Sequence, residues 1–209
     1  MFTSLLPYYL QIFENEVSVI YEKNENSFDP ESYHGRFHIL RCLFLAERII
    51  KYYHNSAIKI DQKMVYMSIM FHDIAREGNG TDIWEEYSME SCFDFMTDNG
   101  FSIASAQNTC KLILKDEPLS AEGQILYDAD VLDYNRFFPV GYFNNYFKEH
   151  KLKFGTIFDT TGFIDLKARL ELILYAQNLV KDTEQISVST PTTQLIQIFK
   201  SIAYKFEPS

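Results

Sequence analysis

His38, the adjacent pair His72-Asp73, and Asp130 are the residues of this chain whose types could share one reaction centre. Imidazole and carboxylate both ligate divalent cations, and burying one beside the other is costly unless a cation pairs with them. Two imidazoles and two carboxylates make a mixed N/O donor set suited to one Mn, Fe, Ni, Co or Mg ion, not a soft thiolate site. Such an ion polarises a phosphoryl oxygen and lowers the pKa of a bound water. The blander reading makes His72 a core histidine and Asp73 a carboxylate at a helix end. The matching pieces upstream and downstream favour the site over that reading. Arg41, one turn after His38, suits either a bidentate contact to phosphate or an ion pair with a site carboxylate. His34 either contacts substrate or pairs at the start of its helix. Glu77 and Glu86 are the candidate general acid and base, with Glu85 as a neighbour of the same kind.

These residues need helices to bring them together. Asp29-Pro30 reads as a helix start, with the helix running to about Tyr53 and carrying His34, His38, Arg41, Leu45 and Arg48 along one stripe. A stripe of two histidines and two arginines is not core-like. Gly35 inside it suggests the close approach of a ligand or another backbone. Asp61 caps the next helix, which carries Met64, Val65, Ser68, Ile69 and His72 on one face. Adjacent residues point about 100° apart on a helix, so His72 and Asp73 converge only near its end, where Gly78 and Gly80 would stop it. Asp82 and Glu85 are spaced as a capping box for a helix ending at Gly100. Ser102 opens another helix. One from Ser120 carries Ile125, Leu126, Ala129, Val131 and Leu132, with Asp128, Asp130 and Asp133 among them. Asp128 and Asp133 read as supporting or solvated carboxylates.

The remaining expectations are an amphipathic helix over residues 3 to 23, an aromatic helix from Pro139 to Leu152, a loop from Lys153 to Thr161, and C-terminal helices from Phe163 to Val180 and Pro191 to Phe206. No alternating strand pattern, internal repeat or low-complexity segment interrupts them. The prediction is an all-α single domain of about seven to nine helices.

The signature His38, His72-Asp73, Asp130 resembles that of the HD-domain phosphohydrolase superfamily. His34-Gly35-Arg36-Phe37-His38-Ile39-Leu40-Arg41 is similar to the HGxxHxxR helix of one HD branch. The run from Asp128 to Asp133 is similar to the segment carrying the family's last aspartate. The likeness covers roughly residues 30 to 150 and implies an HD-like helical bundle. It also implies a metal at His38, His72, Asp73 and Asp130, and hydrolysis of a phosphate ester or anhydride, nucleotide-like in kind. Many members carry further histidines after the HD pair; none stands here between His72 and His150, which implies one metal rather than two. The stretch Arg76-Glu77-Gly78-Asn79-Gly80-Thr81-Asp82-Ile83-Trp84-Glu85 resembles the phosphodiesterase domain of the bacterial SidE effectors. That likeness implies a metal-independent reaction on ADP-ribosylated or phosphoribosyl-linked ubiquitin. His34 or His38 would then be the nucleophile, a glutamate near Glu86 would assist, and His150 would be a distal histidine. A third reading, from another class, is an HD fold that binds a nucleotide or a partner protein without turnover.

Composition narrows the partners. A formal charge of −10 over 209 residues argues against a nucleic-acid backbone. It leaves a phosphate substrate open, because a local metal or arginine inverts the field. Cys42, Cys92 and Cys110 form no CxxC pair and read as packed free thiols of a reducing compartment. The N-terminus has no basic n-region and no window reaches transmembrane length, so the expectation is a cytoplasmic protein with no membrane partner, or one exported without a signal peptide.

Overall fold

The computed structural model describes residues 2–78, 83–115, 119–133 and 166–206, and these residues form helices with no strand among them. In chain order they are α1 (Leu6–Ile12), α2 (Ser18–Ser27), α3 (Arg36–Asn55), α4 (Gln62–Phe71), α5 (Glu85–Asp98), α6 (Ile103–Cys110), α7 (Ala121–Asp133), α8 (Leu166–Thr183) and α9 (Thr192–Lys205). The all-α expectation therefore holds for the described residues. The aromatic helix expected from Pro139 to Leu152, the loop to Thr161, and His150 lie outside them.

The molecule is built around α3. Ile39, Leu40, Cys42, Leu43, Leu45, Ala46, Ile49, Ile50 and Tyr53 are all essentially buried, so apolar residues cover most of its circumference. A helix apolar nearly all round must be covered on every side. It is, because α4, α7, α8 and α9 all pack on it. In α4 every residue from Val65 to Phe71 is buried. Each such Leu, Ile or Phe contributes about 1.5–3 kcal/mol relative to exposure, so the two helices that carry His38 and end at His72 are among the best anchored in the fold.

Several boundaries differ from the sequence reading, each for a local reason. The first helix is not one unit to residue 23. A wide π-helical turn at Phe13–Val17, which buries Phe13 and Val17, divides α1 from α2, and α2 continues to Ser27. The expected helix start at Asp29-Pro30 is corrected: α3 begins at Arg36. Both Asp29 oxygens are spent on a turn, accepting from the Tyr33 and His34 amides at 2.9 Å each. The cap of α3 comes instead from α2. Glu25 accepts from the Arg36 amide at 2.7 Å, and the Ser32 hydroxyl accepts from the Phe37 amide at 3.2 Å. A carboxylate here also complements the positive end of the helix dipole. Gly35 is required because a Cβ would collide with Glu25 and Ser32, so the close approach is by this capping carboxylate. His34 thus precedes the helix instead of riding on it.

Arg36 fixes that entry point. Its guanidinium joins Glu22 and Glu25 of α2 to the Val188 carbonyl at 2.6 Å, the Thr190 carbonyl at 3.1 Å and the Thr192 hydroxyl at 3.2 Å. The caps at Asp61, Ser102 and Gly100 are found as expected, Gly100 with φ +78°. α5 begins at Glu85 with no side-chain cap at Trp84; Asp82 of the expected capping box lies outside the described residues. No described helix is long and apolar enough to cross a membrane.

Candidate metal centre

α4 ends at Phe71, seven residues before Gly78, so glycine is not what stops it. The chain turns there, with the Ile74 amide on the Phe71 carbonyl at 3.2 Å and the Arg76 amide on the Asp73 carbonyl at 3.1 Å. The turn is held from three sides. Tyr21 donates to the Met70 carbonyl at 2.9 Å, Asn24 reaches the Ile74 and Arg76 carbonyls, and Ser88 of α5 accepts from the Ala75 amide. This departure from helical geometry lets adjacent His72 and Asp73 face one point.

His38, His72, Asp73 and Asp130 meet there. The two Nε2 atoms of His38 and His72 lie 3.0 Å apart. Asp73 Oδ2 is 3.5 Å from His38 Nε2 and 3.6 Å from His72 Nε2. Asp130 Oδ1 is 3.5 Å and 3.8 Å from the same two atoms. The other ring nitrogens fix the tautomers. His72 Nδ1 is 2.8 Å from the Ile69 carbonyl, which can only accept, so Nδ1 carries the proton. His38 Nδ1 is 2.6 Å from Asp133 Oδ2, a carboxylate also held by Arg41, so it too is the donor. In their neutral forms both Nε2 atoms are therefore bare lone pairs. Two lone pairs and two carboxylate oxygens converge with no proton between them, which is unfavourable unless a cation sits there.

The separations fit a metal ion. Neighbouring donors about 2.1 Å from an octahedral ion stand about 3.0 Å apart, and wider angles place them near 3.5 Å. His38, His72 and Asp73 are buried and close enough to hold one ion. Without it, a proton takes the cation's part. Burial pushes the His72 imidazole down, but the Asp73 charge and the Asp130 contact outweigh burial and raise it above its ordinary value. Burial opposes ionisation of Asp73 and Asp130 as well. For Asp73 the His72 charge and the His34 contact prevail, and for Asp130 the Lys115 charge and His72, so both carboxyls lie well below the usual range. The second possible donor set, His38, Cys42 and Asp133, is a poor one, because the Arg41 guanidinium already occupies Asp133.

The outer oxygens of the ligands carry cations of the protein itself. Lys115 Nζ lies 2.7 Å from Asp130 Oδ2, and Arg76 Nη1 lies 3.7 Å from Asp73 Oδ1. Lys115 has φ +54°, a left-handed conformation that costs a non-glycine residue about 1 kcal/mol. Arg41 resolves to the ion-pair side of its two readings. Its Nε is 2.5 Å from Asp133 Oδ1 and its Nη2 3.3 Å from Oδ2, and Asp133 is fully buried. Asp133 is the supporting carboxylate the sequence allowed it to be, one turn from Asp130 on α7. His34 stands at the edge of the cluster, its side chain 16% exposed, with Nδ1 3.1 Å from Asp73 Oδ2. Glu77 and Glu86 are both exposed, and no described contact joins either to the cluster. The roles of Lys115 and Arg76 had no counterpart in the sequence reading.

No protein-family model, no curated protein and no solved structure matches this chain.

Proposed function

We propose that this protein is an HD-type hydrolase of phosphate esters or anhydrides, using one divalent ion held by His38, His72, Asp73 and Asp130. The observation that carries the reading is the approach of Asp73 and Asp130 oxygens to within 3.5–3.8 Å of both histidine Nε2 atoms, while Asp73, Asp130 and Asp133 each face a cation. Asp73 faces Arg76, Asp130 faces Lys115, and Asp133 faces Arg41. A divalent ion added to that balanced set leaves the centre net positive. An anionic substrate is therefore favoured despite the chain's overall charge of −10. The ion would supply polarisation of a phosphoryl oxygen and an acidified water.

The residues of the chain do the remainder. His38 and His72 are held as lone-pair donors by Asp133 and the Ile69 carbonyl. His34, ordered by Asp73 and partly open to solvent, is placed to pass a proton between substrate and water. Lys115, partly exposed and paired with Asp130, puts a positive charge beside the path of an arriving anion. The substrate class is a phosphorylated small molecule or nucleotide.

The test is elemental analysis of the purified protein, with Asp73→Ala as control. About one transition metal per chain, lost in the variant, supports the reading, and a screen of nucleotides and phosphate esters follows. Failure to retain metal after incubation with Mn, Ni or Fe sinks it. One observation favours a second reading, the metal-independent phosphodiesterase of the SidE kind. His34 Nδ1 pairs with Asp73, and of His34 and His38 only His34 is appreciably exposed, which would make it the nucleophile of that scheme. Turnover of ADP-ribosylated or phosphoribosyl-linked ubiquitin that survives chelation and is lost in His34→Ala would establish it. Nucleotide binding without turnover in both assays would leave a binding protein.

A further inference from the structure

Arg41 has two neighbours of different kinds. Its Nε and Nη2 are spent on Asp133, the carboxylate that also takes His38 Nδ1 at 2.6 Å. Its third nitrogen, Nη1, has no hydrogen-bond or ion-pair partner among the described residues, although the residue is only 6% exposed. Nη1 is not sealed inside protein, and Arg41 forms part of the wall of a cavity of about 190 Å³. A guanidinium N–H at a cavity calls for an acceptor, since a largely buried donor left unmet is costly. Phe37 of α3, Ile186 and Val188 make the wall apolar, and Arg36 fixes its far side by holding the Val188 carbonyl at 2.6 Å. Glu31 and Glu184, both exposed, complete it. Asp133 already offsets the Arg41 charge, so these two carboxylates give the cavity a negative sign and disfavour a phosphate there.

We propose that this cavity binds the heterocyclic base of a nucleotide whose phosphate lies at the His/Asp centre, with Arg41 Nη1 donating to a ring acceptor. The inference rests on the phosphohydrolase reading for the phosphate end and narrows its substrate class to nucleotides. The cavity, at about 190 Å³, is smaller than the roughly 300 Å³ at which pockets for whole drug-sized ligands begin, so it takes a ring system and leaves sugar and phosphate outside. A base is neutral, which suits the sign of the wall, and its flat faces pack on Phe37, Ile186 and Val188. Its ring nitrogens or carbonyl oxygens accept from Arg41, and its N–H groups donate to Glu31 or Glu184. A sugar phosphate without a base would leave Nη1 unmet. Phe37 and Arg41 stand one turn, about 5.4 Å, apart along α3, and His38 is offset from Phe37 by about 100°, so base and phosphate meet neighbouring faces of one helix. Asp133 joins the two ends, because it grips both Arg41 and the ring of His38.

The experiment is calorimetric titration of the full chain, in chelator, with adenosine, guanosine, cytidine and uridine, and with ribose 5-phosphate as the control that lacks a base. At least one nucleoside should bind at millimolar concentration while ribose 5-phosphate does not. Ile186→Trp, at a half-buried wall position, should weaken that nucleoside about tenfold or more by filling the cavity. Arg41→Met combined with Asp133→Leu removes the Nη1 donor without stranding a charge and should weaken it about tenfold or more, the value of one hydrogen bond to a charged group. Should either variant fail to fold, Glu31→Gln combined with Glu184→Gln, at two exposed positions, takes its place and should lower nucleoside affinity several-fold. Absence of binding by all four nucleosides in the wild type overturns the proposal, and so does a nucleoside affinity that none of these variants changes. The two readings fail separately. Nucleoside binding by a chain that takes up no metal would keep the base site and sink the hydrolase, and metal uptake without nucleoside binding would do the reverse.

Discussion

Replacing Asp133 by asparagine separates what holds the fold from what would hold a metal at the proposed site. Asp133 is fully buried and accepts from His38 Nδ1 at 2.6 Å and from both Nε and Nη2 of Arg41. The amide keeps the size but removes the charge, leaving a buried guanidinium without its counter-ion. Breaking a buried pair in this way costs about 3–5 kcal/mol. A chain of this size loses roughly 2–4 °C of Tm per kcal/mol, so Asp133→Asn should melt roughly 6–20 °C lower in chelator. The second loss is separate. Asp133 fixes which nitrogen of His38 carries the proton, and loss of such a partner weakens metal binding about 10–100-fold.

A companion variant distinguishes the two effects. Arg41→Met combined with Asp133→Leu removes both charges, and a buried pair replaced by apolar residues is often neutral in stability. Most of the melting temperature should therefore return, while Mn affinity, read by competition with a metallochromic indicator, should stay depressed by about 10–100-fold because His38 still lacks its acceptor. Wild-type Mn affinity in the double variant would refute the reasoning that Asp133 orients a ligand. A change of under about 2 °C in Asp133→Asn would refute the claim that the buried pair matters to the fold.

Lys115→Met removes the cation 2.7 Å from Asp130; metal binding should hold or tighten, while inhibition by inorganic phosphate weakens about tenfold or more, the value of one charge-assisted hydrogen bond. An unchanged phosphate inhibition constant would exclude Lys115 from anion binding. The pH dependence has opposite signs with and without metal. The raised His72 value means that its contribution to the chelated fold is complete below about pH 6.5 and fades as pH rises through the folded value. The depressed Asp73 and Asp130 values make theirs complete above about pH 4 and lost as pH falls further. A metal must displace the His72 proton, so apparent affinity should climb with pH by up to about tenfold per unit until the raised His72 value is passed; parallel melts with Mn and with chelator read both trends, and an affinity flat from pH 6 to 8 would contradict them. Gly35→Ala should cost about 1–3 kcal/mol in urea titration, because its Cβ displaces the capping carboxylate Glu25; a neutral result would show that the cap yields.

The helices were readable because their signals are local. The caps at Asp61 and Ser102, the left-handed Gly100 and the apolar runs of α3, α4 and α7 each follow from a few neighbouring residues. The start of α3 was misread because its cap is not local: Glu25, eleven residues upstream, supplies the acceptor that Asp29 was expected to provide. The same division runs through the site. His38, His72, Asp73 and Asp130 could be named from residue type and order, while Asp133 was open, with Asp128, between a supporting and a solvated carboxylate. The pairings of Lys115 with Asp130 and of Arg76 with Asp73 could not be named, since no motif fixes which carboxylate a cation meets.

Net charge misleads about this centre for a related reason. A formal charge of −10 is a sum over the whole chain, but at physiological salt a charge beyond about 8 Å of a site is largely screened. What an approaching anion meets is decided within that radius. There the carboxylates nearest the histidines are bound one to one with Arg41, Arg76 and Lys115. Each pairing removes a negative charge from the centre while leaving an oxygen of Asp73 and of Asp130 turned inward as a donor. The chain thus presents ligand oxygens without presenting their full charge, which is the condition under which a divalent cation can bind and still attract a phosphate.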